Sequence, residues 1–540
     1  MPVTVPGFGY VTTGVKGIEY LWWVAGIPAG PVFVRSVGRA GGISMGAGLI
    51  HQAVAHRART EPEAPAVVDG TIRLDYATLD AAADAWAARL AAAGAAPDTL
   101  VPVLLPRSAR LYVALLAVLK CGAGYAALDP RWPRERIDAV LRQLGGPVLV
   151  TDLDDLSGWP VWRPPGDFAD LGGAGAFRAY DGPSDAPATV FFTSGTSGTP
   201  KGVVSPHAAT TRLFTADGPL AFGPGSVMLQ AAPSAWDAFS LELWGMLTTG
   251  GTCVTAAEDY LLPDTLRHLI AACAVDNAWL TASLFNLFTE IDLDCFQGLR
   301  SLHIGGERLS TAHVDRFLAA HPGVRLVNGY GPVESCVFAT VHPVTAQDCR
   351  AERGVPIGRP VPGTAVHVLD ENGRECPPGA VGELCVSGAG LAHGYLGDPA
   401  LTAARFHESG PGGTRLYRTG DQGLRDADGV FHFTGRTDRQ VKIRGYRIEP
   451  EEIEAHAARL PGITHCVAVP VPGQLGNYDR LALFYTSSGE AADDPVLLRR
   501  ALGLRLPAHA VPDVVRRVHR LPVTANGKVD RSELLATLTG

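Results

Sequence analysis

The sequence lacks the features that mark several large classes of protein. It has no excess of positive charge, because 46 Lys and Arg face 54 Asp and Glu, which gives a formal net charge of −8. Without a basic field there is little attraction for a phosphate backbone, so we expect no nucleic-acid partner. The 16 histidines form no HExxH motif, and we therefore expect no structural zinc site.

Paired cysteines are missing as well. Nine cysteines are scattered along the chain, and no two of them form a CxxC pair. This pattern is typical of reduced, mostly buried thiols in a cytosolic protein. We therefore expect a cytoplasmic location.

No apolar run has the length of a membrane-spanning helix. The most apolar stretch, residues 21–34, is interrupted by glycines and prolines and is shorter than the ~20 residues that a bilayer requires. A signal peptide would begin with basic residues followed directly by its apolar run, whereas here 20 residues with one Lys come first. We expect no membrane association, and we treat residues 1–44 as an N-terminal extension without an assigned role.

The remaining chain alternates between two patterns. From Leu74, short β-branched runs such as 101–105 and 189–193 alternate with helical segments such as 79–93. This alternation predicts an α/β fold with parallel sheets flanked by helices. Short strands with turn signals follow at 355–390, which indicates a small β-barrel subdomain. We predict a large domain at 45–437 and a smaller α+β domain at 438–540.

The segment 191–202, FFTSGTSGTPKG, combines glycines with hydroxyl side chains at the end of a predicted strand. Glycine lets the backbone approach a ligand closely, and the hydroxyls, free N–H groups and Lys201 suit a polyphosphate. The spacing is not that of the P-loop, and composition alone leaves an ordinary surface loop as the alternative. Its place at the carboxyl end of a strand favours a ligand site.

Five further segments carry unusual chemistry. Asp237 interrupts an apolar run, either as a helix cap or as a counter-charge for a buried cation. Residues 328–334, NGYGPVE, offer backbone donors, an aromatic face and a carboxylate suited to Mg²⁺. Residues 417–421 could hold a ribose diol, 435–449 are strongly basic, and 526–528 place a lysine on a tight turn. Each alone is more often a loop or a solvated charged face.

Taken in order, these segments resemble the adenylate-forming (ANL) superfamily, specifically the amino acid adenylation domains of nonribosomal peptide synthetases. The resemblance covers roughly residues 45–538. Its motifs are LKCGAGYAALDP, FFTSGTSGTPKG, NGYGPVE, GELCVSG, YRTGDQG, GRTDRQVKIRGYRIE and LPVTANGKVDR. The resemblance implies that an amino acid carboxylate attacks the α-phosphate of ATP, and that the aminoacyl group then passes to a phosphopantetheine thiol.

The resemblance also implies roles for individual residues. It assigns catalysis to Lys528, Thr193, Glu334 and Lys442, and Mg²⁺ to Glu334. It assigns ATP to Thr193, Ser194, Gly195, Thr196, Lys201, Asn328, Gly329, Tyr330, Gly331, Asp421 and Arg436. In this family the small C-terminal domain swings between the two half-reactions, and Asp438 matches the hinge. One position departs from the family, because Val333 stands where a threonine is usual.

The same resemblance predicts the substrate pocket. Its positions are Asp237, Ala238, Leu241, Trp279, Leu302, Ile304, Gly329, Val337 and Phe338. Asp237 would pair with the α-ammonium group, and no other position is charged. A polar side chain would lose its hydration without gaining a partner. We therefore expect a small aliphatic amino acid, such as valine, alanine, 2-aminobutyrate or isoleucine.

The sequence contains neither a condensation motif (HHxxxDG) nor a usable carrier motif. We therefore expect a stand-alone enzyme, a monomer or weak dimer, that loads a separate carrier protein in natural-product biosynthesis. The basic segment 436–447 could dock an acidic carrier or serve the nucleotide, and we favour the nucleotide. Two alternatives remain: an acyl-CoA ligase of the same superfamily, and a non-catalytic binding protein, for which Val333 is the one hint.

Overall fold

A computed structural model describes residues 48–156, 158–168, 177–195, 198–215, 218–408, 410–473, 478–488, 494–523 and 529–538. The predicted extension at 1–44, Thr196 and Lys528 lie outside the described residues. Residues 47–540 form one compact unit, so the predicted division at residue 438 stays a prediction.

Strands and helices alternate through most of the chain. The strands are β1 (Pro65–Asp69), β2 (Ile72–Asp75), β3 (Leu100–Leu104), β4 (Gly124–Ala127), β5 (Leu149–Thr151), β6 (Val161–Trp162), β7 (Pro187–Thr193), β8 (Lys201–Pro206), β9 (Val227–Gln230), β10 (Thr252–Thr255), β11 (Asn277–Thr281), β12 (Ser301–Gly305), β13 (Arg325–Tyr330), β14 (Thr340–Pro343), β15 (Arg359–Pro360), β16 (Thr364–Leu369), β17 (Gly382–Gly388), β18 (Gly394–Tyr395), β19 (Phe406–His407), β20 (Leu416–Arg425), β21 (Phe431–Arg436), β22 (Val441–Ile443), β23 (Tyr446–Ile448), β24 (Ile463–Pro472), β25 (Tyr478–Ser487) and β26 (Val514–Arg517). The helices are α1 (Ile50–Thr60), α2 (Tyr76–Ala92), α3 (Ala109–Lys120), α4 (Arg134–Leu144), α5 (His207–Thr211), α6 (Asp237–Thr249), α7 (Pro263–Cys273), α8 (Ala282–Ile291), α9 (Thr311–Ala320), α10 (Pro399–Arg405), α11 (Pro450–Ala458), α12 (Pro495–Gly503) and α13 (Arg531–Ala536).

Two large sheets form the centre of the fold. One has nine strands in the order β15-β14-β13-β12-β11-β9-β10-β1-β2, and the other has seven in the order β18-β8-β7-β4-β3-β5-β6. Their central strands are parallel, while β2, β8, β14, β15 and β18 pair in antiparallel fashion. Helices α2, α3 and α6 share one apolar cluster with residues of both sheets. The predicted α/β architecture with parallel sheets is confirmed.

Two smaller sheets complete the molecule. A five-stranded antiparallel sheet joins β16, β17, β19, β20 and β21, in the region where the sequence predicts a small barrel. A mixed five-stranded sheet joins β22 to β26 and packs with α11 and α12 around a core of its own. The predicted smaller α+β region at the C-terminal end is therefore present.

Helix α3 is almost entirely buried and belongs to the apolar cluster that includes residues of both large sheets. Every residue of α3 except Arg110 is buried, and the Ser108 side chain accepts a hydrogen bond from Leu111 N to start the helix. A helix that is apolar on all sides requires such an interior position. Its one buried cation, Lys120, lies 2.7 Å from Asp80 and 2.5 Å from Asp84 of α2.

Replacing Lys120 should destabilise this interior. In Lys120→Met, the two neighbouring carboxylates of α2 lose their counter-charge, and we expect the free energy of unfolding to fall by about 3 kcal/mol. Urea denaturation would measure the change. The exposed pair Arg134–Asp138 supplies a control, because Arg134→Met should cause a much smaller loss. Equal losses in both variants would contradict the importance of the buried charges.

Candidate active site

The ends of two strands and the start of one helix converge on a cavity. β7 of the seven-stranded sheet ends at Thr193, and β13 of the nine-stranded sheet ends at Tyr330. Helix α6 begins at Asp237. Ligands of α/β proteins bind at the carboxyl ends of parallel strands, so this convergence marks the candidate site. The cavity has a volume of about 420 Å³ and is called the central cavity below.

Most of the predicted site residues line the central cavity. They are Thr193, Ser194, Asp237, Ala238, Trp279, Gly329, Gly331, Val337, Phe338, Asp421, Arg436 and Lys442. These residues come from positions up to 249 residues apart in the chain, as the numbers of Thr193 and Lys442 show. Only the tertiary fold brings them together.

The end of β7 offers a buried hydroxyl without a described partner, whereas the next hydroxyl, of Ser194, donates to the backbone oxygen of Arg447 at 3.1 Å. Thr193 Oγ1 is buried without a hydrogen-bond partner among the described residues. A Cβ at Gly195 would lie 2.1 Å from the carbonyl oxygen of Thr199, so the loop requires glycine here. Lys201 stands opposite Thr193 on β8, and burial lowers the pKa of Lys201 although Glu449 lies 3.6 Å away. A desolvated cation beside an unpaired hydroxyl suits a phosphate group.

A second polar cluster forms where β13 meets β20. The Tyr330 hydroxyl donates to Asp421 Oδ2 at 2.6 Å, and Arg436 donates to the other carboxylate oxygen. Desolvation and the Asp421 charge raise the pKa of Tyr330. Asn328 instead donates to the backbone oxygen of Pro356 at 2.7 Å. The cluster thus presents one carboxylate to the central cavity, held by an aromatic hydroxyl and a guanidinium.

Asp237 places a second carboxylate on the wall of the cavity. It is the first residue of α6, and the N-cap position before it is held by Trp236, which makes no side-chain cap hydrogen bond. Its Oδ2 accepts a hydrogen bond from Val337 N at 2.9 Å. Desolvation raises the pKa of Asp237, although the Val337 amide and the charge of Lys442 oppose this shift. Asp237 forms no ion pair with a described cation, so desolvation is the dominant influence on this carboxylate.

The wall beside Asp237 is apolar and narrow. A Cβ at Gly329 would lie 2.1 Å from the ring of Phe338, so this ring lies directly against Gly329. Trp279 adds a second large ring and is 9% exposed. Ala238 also lines the cavity, whereas Leu241 is buried in the apolar core around α6.

The pairing of β11 with β12 decides which predicted pocket positions share a face. Trp279 pairs directly with His303. Because side chains alternate along a strand, Leu302 and Ile304 point to the opposite face, where they pack with Phe285. Neither lines the central cavity. His303 lies on the same face as Trp279 and packs edge-on against Phe222, outside the lining of the cavity.

The basic segment 436–447 closes the cavity from the C-terminal side. Lys442 lines it, and desolvation lowers the pKa of Lys442 although Asp421 opposes this shift. Arg447 donates to both carboxylate oxygens of Glu334, at 3.1 and 3.0 Å. Tyr395 donates to Glu334 as well, at 2.8 Å. Burial would raise the pKa of Glu334, but Arg447 and Tyr395 outweigh it and hold this pKa below its usual range.

A glycine fits this segment against the nine-stranded sheet. Gly445 has φ +84°, and a Cβ there would lie 2.2 Å from the Thr281 side chain. The amide of Gly445 donates to Glu307, whose other carboxylate oxygen accepts from Ser283 Oγ at 2.5 Å. Its neighbour Tyr446 packs edge-on against Trp236 with ring centroids 4.3 Å apart. The basic segment is therefore a wall of the cavity and not an open surface.

Glu334, the predicted metal ligand, is occupied by protein groups in this arrangement. Among the described residues there is no cluster of three acidic, His or Cys side chains that could hold a metal ion. A metal at Glu334 would therefore have to replace Arg447 and obtain further ligands from elsewhere, such as water or phosphate oxygens. Nearby, Val333 is half-buried and packs against the apolar clusters around it.

Two family patterns match this chain on either side of the cavity. Residues 54–396 match the family described as AMP-binding enzyme, and residues 452–528 match its C-terminal domain. The chain belongs to the AMP-binding enzyme family. The predicted family resemblance is confirmed, and the use of ATP follows from it.

The relatives of this AMP-binding enzyme include large synthetases. It is 38% identical over 506 residues to malpibaldin synthetase of Mortierella alpina, covering 90% of this chain and 9% of that protein. It is 35% identical over 481 residues to surfactin synthase subunit 3 of Bacillus subtilis (strain 168), covering 87% of this chain and 37% of that protein. The chain thus spans a minor part of the length of these relatives.

Solved structures agree with this assignment. The AMP-binding enzyme superposes with a TM-score of 0.83 and 35% identity on "holo-PA1221, an NRPS protein containing adenylation and PCP domains bound to vinylsulfonamide inhibitor". The match covers 91% of this chain and 84% of that one.

Within the described ranges, no helix has both the length and the apolar character needed to span a bilayer. Asp438, the predicted hinge, forms an ion pair with Arg436 at 2.8 Å, and its hinge role stays a prediction.

The ion pair between Arg447 and Glu334 should hold the C-terminal segment against the cavity. In Arg447→Met, Glu334 is left as a buried, unpaired carboxylate, which typically costs about 3–5 kcal/mol. We expect faster hydrogen exchange at the amides of residues 441–448, measured by mass spectrometry.

Arg444→Met provides the matched control. Arg444 lies three positions away and pairs with Asp513 at a more exposed site, where its side chain is 56% exposed. This variant should leave the exchange of the segment nearly unchanged. Similar acceleration in both variants would show that the buried pair does not hold the segment.

Proposed function

We propose that this enzyme activates a small aliphatic L-amino acid with ATP as aminoacyl-AMP. It then transfers the aminoacyl group to the phosphopantetheine thiol of a separate carrier protein, in nonribosomal peptide or related biosynthesis. One observation carries the proposal: a carboxylate without a close counter-charge, Asp237, shares a cavity with the polar cluster around Asp421. An α-ammonium group would supply the missing charge at Asp237. We further propose that this takes place in the cytoplasm, where ATP is supplied.

The residues around the cavity fit ATP. The unpaired Thr193 hydroxyl, Ser194 and the desolvated Lys201 would hold the phosphates, and the Asp421 carboxylate would accept hydrogen bonds from the ribose hydroxyls. Glu334 would hold Mg²⁺ once Arg447 has left. The metal would neutralise phosphate charge. Catalysis would then depend on positioning and on charge stabilisation by Lys528, without an enzyme nucleophile.

The apolar wall supports a small aliphatic side chain. Trp279 and Phe338 shorten the pocket, and Ala238 and Val337 add no polar group. A charged or amide side chain would be desolvated there without a partner, at a cost of several kcal/mol. A single methylene changes binding by only about 1–3 kcal/mol in such a pocket, so activity with several close homologues is expected.

The position of the C-terminal segment supports the transfer step. Lys442 and Gly445 line the central cavity. In this position they could contact a pantetheine arm that enters the cavity. The solved relative with the TM-score of 0.83 is described as holding a PCP domain, which favours a carrier protein as acceptor. Free coenzyme A is the competing acceptor, and Asp237 argues against it, because acyl-CoA ligases of this superfamily usually lack that residue.

The amino acid specificity can be tested by ATP–pyrophosphate exchange across an amino acid panel. We expect activity with valine, alanine, 2-aminobutyrate or isoleucine, and none above background with aspartate, lysine or glutamine. Asp237→Ala removes the partner of the ammonium group and should abolish the exchange, whereas Asp264→Ala, at an exposed carboxylate, should not. Exchange that needs no amino acid, or that prefers a charged one, would refute the assignment.

The two half-reactions should separate in two reciprocal variants. Lys528→Ala should abolish adenylate formation and spare transfer from a supplied aminoacyl-adenylate. Glu307→Ala removes the acceptor of the Gly445 amide, so it should slow transfer to a holo-carrier and leave the exchange intact. Ser283→Ala, which removes only the Ser283–Glu307 hydrogen bond, should have a smaller effect than Glu307→Ala. If either of the first two variants slowed both half-reactions equally, its role would be refuted.

A further inference from the structure

An arginine in the interior lies next to the substrate wall without any charged partner. Arg212 follows α5 directly, is 3% exposed, and forms no ion pair with a described carboxylate. Burial lowers the pKa of Arg212 to about 10. Burying a cation among neutral groups costs free energy. The hydrogen bonds that Arg212 forms therefore indicate why an arginine occupies this position.

All hydrogen bonds from Arg212 end on neutral oxygens, and two of them bracket one turn. Nη2 donates to the carbonyl oxygens of Ser335 at 2.7 Å and Phe338 at 2.8 Å. Nε donates to Thr364 Oγ1 at 3.0 Å, and Nη1 donates to the carbonyl oxygen of Ala209. The guanidinium therefore ties the turn 335–338 to two other parts of the large domain.

The bracketed turn is strained and carries part of the site. Cys336 and Val337 have φ values of 48° and 63°, a left-handed conformation that non-glycine residues rarely adopt. Such a conformation persists only where the surroundings impose it. Val337 N donates to Asp237, and the side chains of Val337 and Phe338 line the central cavity. The same turn thus orients both the Asp237 carboxylate and the apolar wall.

We propose that Arg212 is a positioning residue for the amino acid half of the site. By holding the carbonyl groups on both sides of the strained turn, it places the Val337 amide against Asp237 and sets the depth of the pocket at Phe338. It touches neither substrate nor nucleotide. The inference rests on the proposed amino acid activation and adds to it a residue that controls affinity and selectivity for the amino acid, but not affinity for ATP.

A substitution at Gly390 can displace the guanidinium of Arg212 without replacing the arginine itself. A Cβ added at Gly390 would lie 2.4 Å from Arg212 Cζ. Gly390 does not have a positive φ, so alanine is compatible with its backbone. Gly390→Ala should therefore displace Arg212 without removing its charge or leaving a void.

The test compares Michaelis constants in ATP–pyrophosphate exchange for the wild type, Arg212→Met, Arg212→Lys and Gly390→Ala. We expect the KM for valine to rise about tenfold in Arg212→Met, because this variant loses the hydrogen bonds that a charged group donates to the turn. The KM for ATP should stay within about twofold in all variants, since no ATP contact changes. Selectivity between valine and isoleucine should also change. Arg212→Lys, which lacks the planar fork, should not restore the wild-type value.

The double variant provides the sharpest outcome. If Gly390→Ala acts by displacing Arg212, the KM for valine in the double variant Arg212→Met/Gly390→Ala should be close to that of Arg212→Met alone. If the two substitutions act independently, their free-energy effects on this KM should add. Tyr76→Phe serves as a control for buried hydrogen bonds. The Tyr76 hydroxyl donates to the backbone oxygens of Met246, near the end of α6, and of Gly251, just after it, so it acts at the opposite end of α6 from Asp237. It should lower the melting temperature without changing either KM.

Two results would overturn the inference. One is a similar rise of the KM for valine and for ATP in Gly390→Ala. The other is a loss of folded protein in Arg212→Met and Gly390→Ala with both KM values unchanged in the folded fraction, as for Tyr76→Phe. These outcomes differ from a failure of the proposed function, in which the wild-type enzyme itself shows no amino-acid-dependent exchange.

Discussion

The arrangement of the candidate site depends on one buried ion pair. Glu334 has no exposed surface, and Arg447 donates to both oxygens of its carboxylate, while Tyr395 supplies a third hydrogen bond. A carboxylate in such a position needs a partner. By supplying it, Arg447 holds the strand pair β22–β23 against the segment around Glu334, and Lys442 and Gly445 of this region line the cavity.

The same ion pair has a consequence for the metal. A Mg²⁺ ion bound at Glu334, as proposed, would neutralise the same carboxylate as the guanidinium of Arg447, so the two would compete for it. In the proposed reaction, ATP activation would use the metal at Glu334, and the transfer step would use Arg447. The carboxylate would thereby couple the position of the C-terminal segment to the phosphate chemistry.

The two carboxylates of the cavity, Asp421 and Asp237, lie in different electrostatic environments. These environments suit the two proposed substrates, ATP and an amino acid. Around Asp421, donors from Tyr330 and Arg436 are already in place. Asp237 accepts hydrogen bonds from backbone amides, such as that of Val337, and forms no ion pair with a described cation. The apolar surroundings of Asp237 thus favour a ligand that brings its own positive charge, and Arg212 holds that surrounding wall in place.

Much of this could be predicted from residues alone. The alternation of β-branched and helical segments predicts the α/β fold, because side-chain periodicity reflects the face that each element buries. Glycine-rich and charged motifs identify Thr193, Asp237 and Asp421, since few residue types can form such loops and sites. The sequence did not predict the register of β12. In the structure His303 pairs with Trp279, so Leu302 and Ile304 lie on the face opposite to the predicted one.

The sequence by itself therefore determined the family and the fold class and predicted the residues of the site, because these depend on local periodicity and on motifs of a few residues. Only the tertiary structure decided the partners of those residues. The contacts of Arg447 with Glu334, of Gly445 with Glu307 and of Arg212 with the turn 335–338 join segments more than a hundred residues apart. Their hydrogen bonds depend on how separate sheets pack, and no local pattern in the chain records that packing.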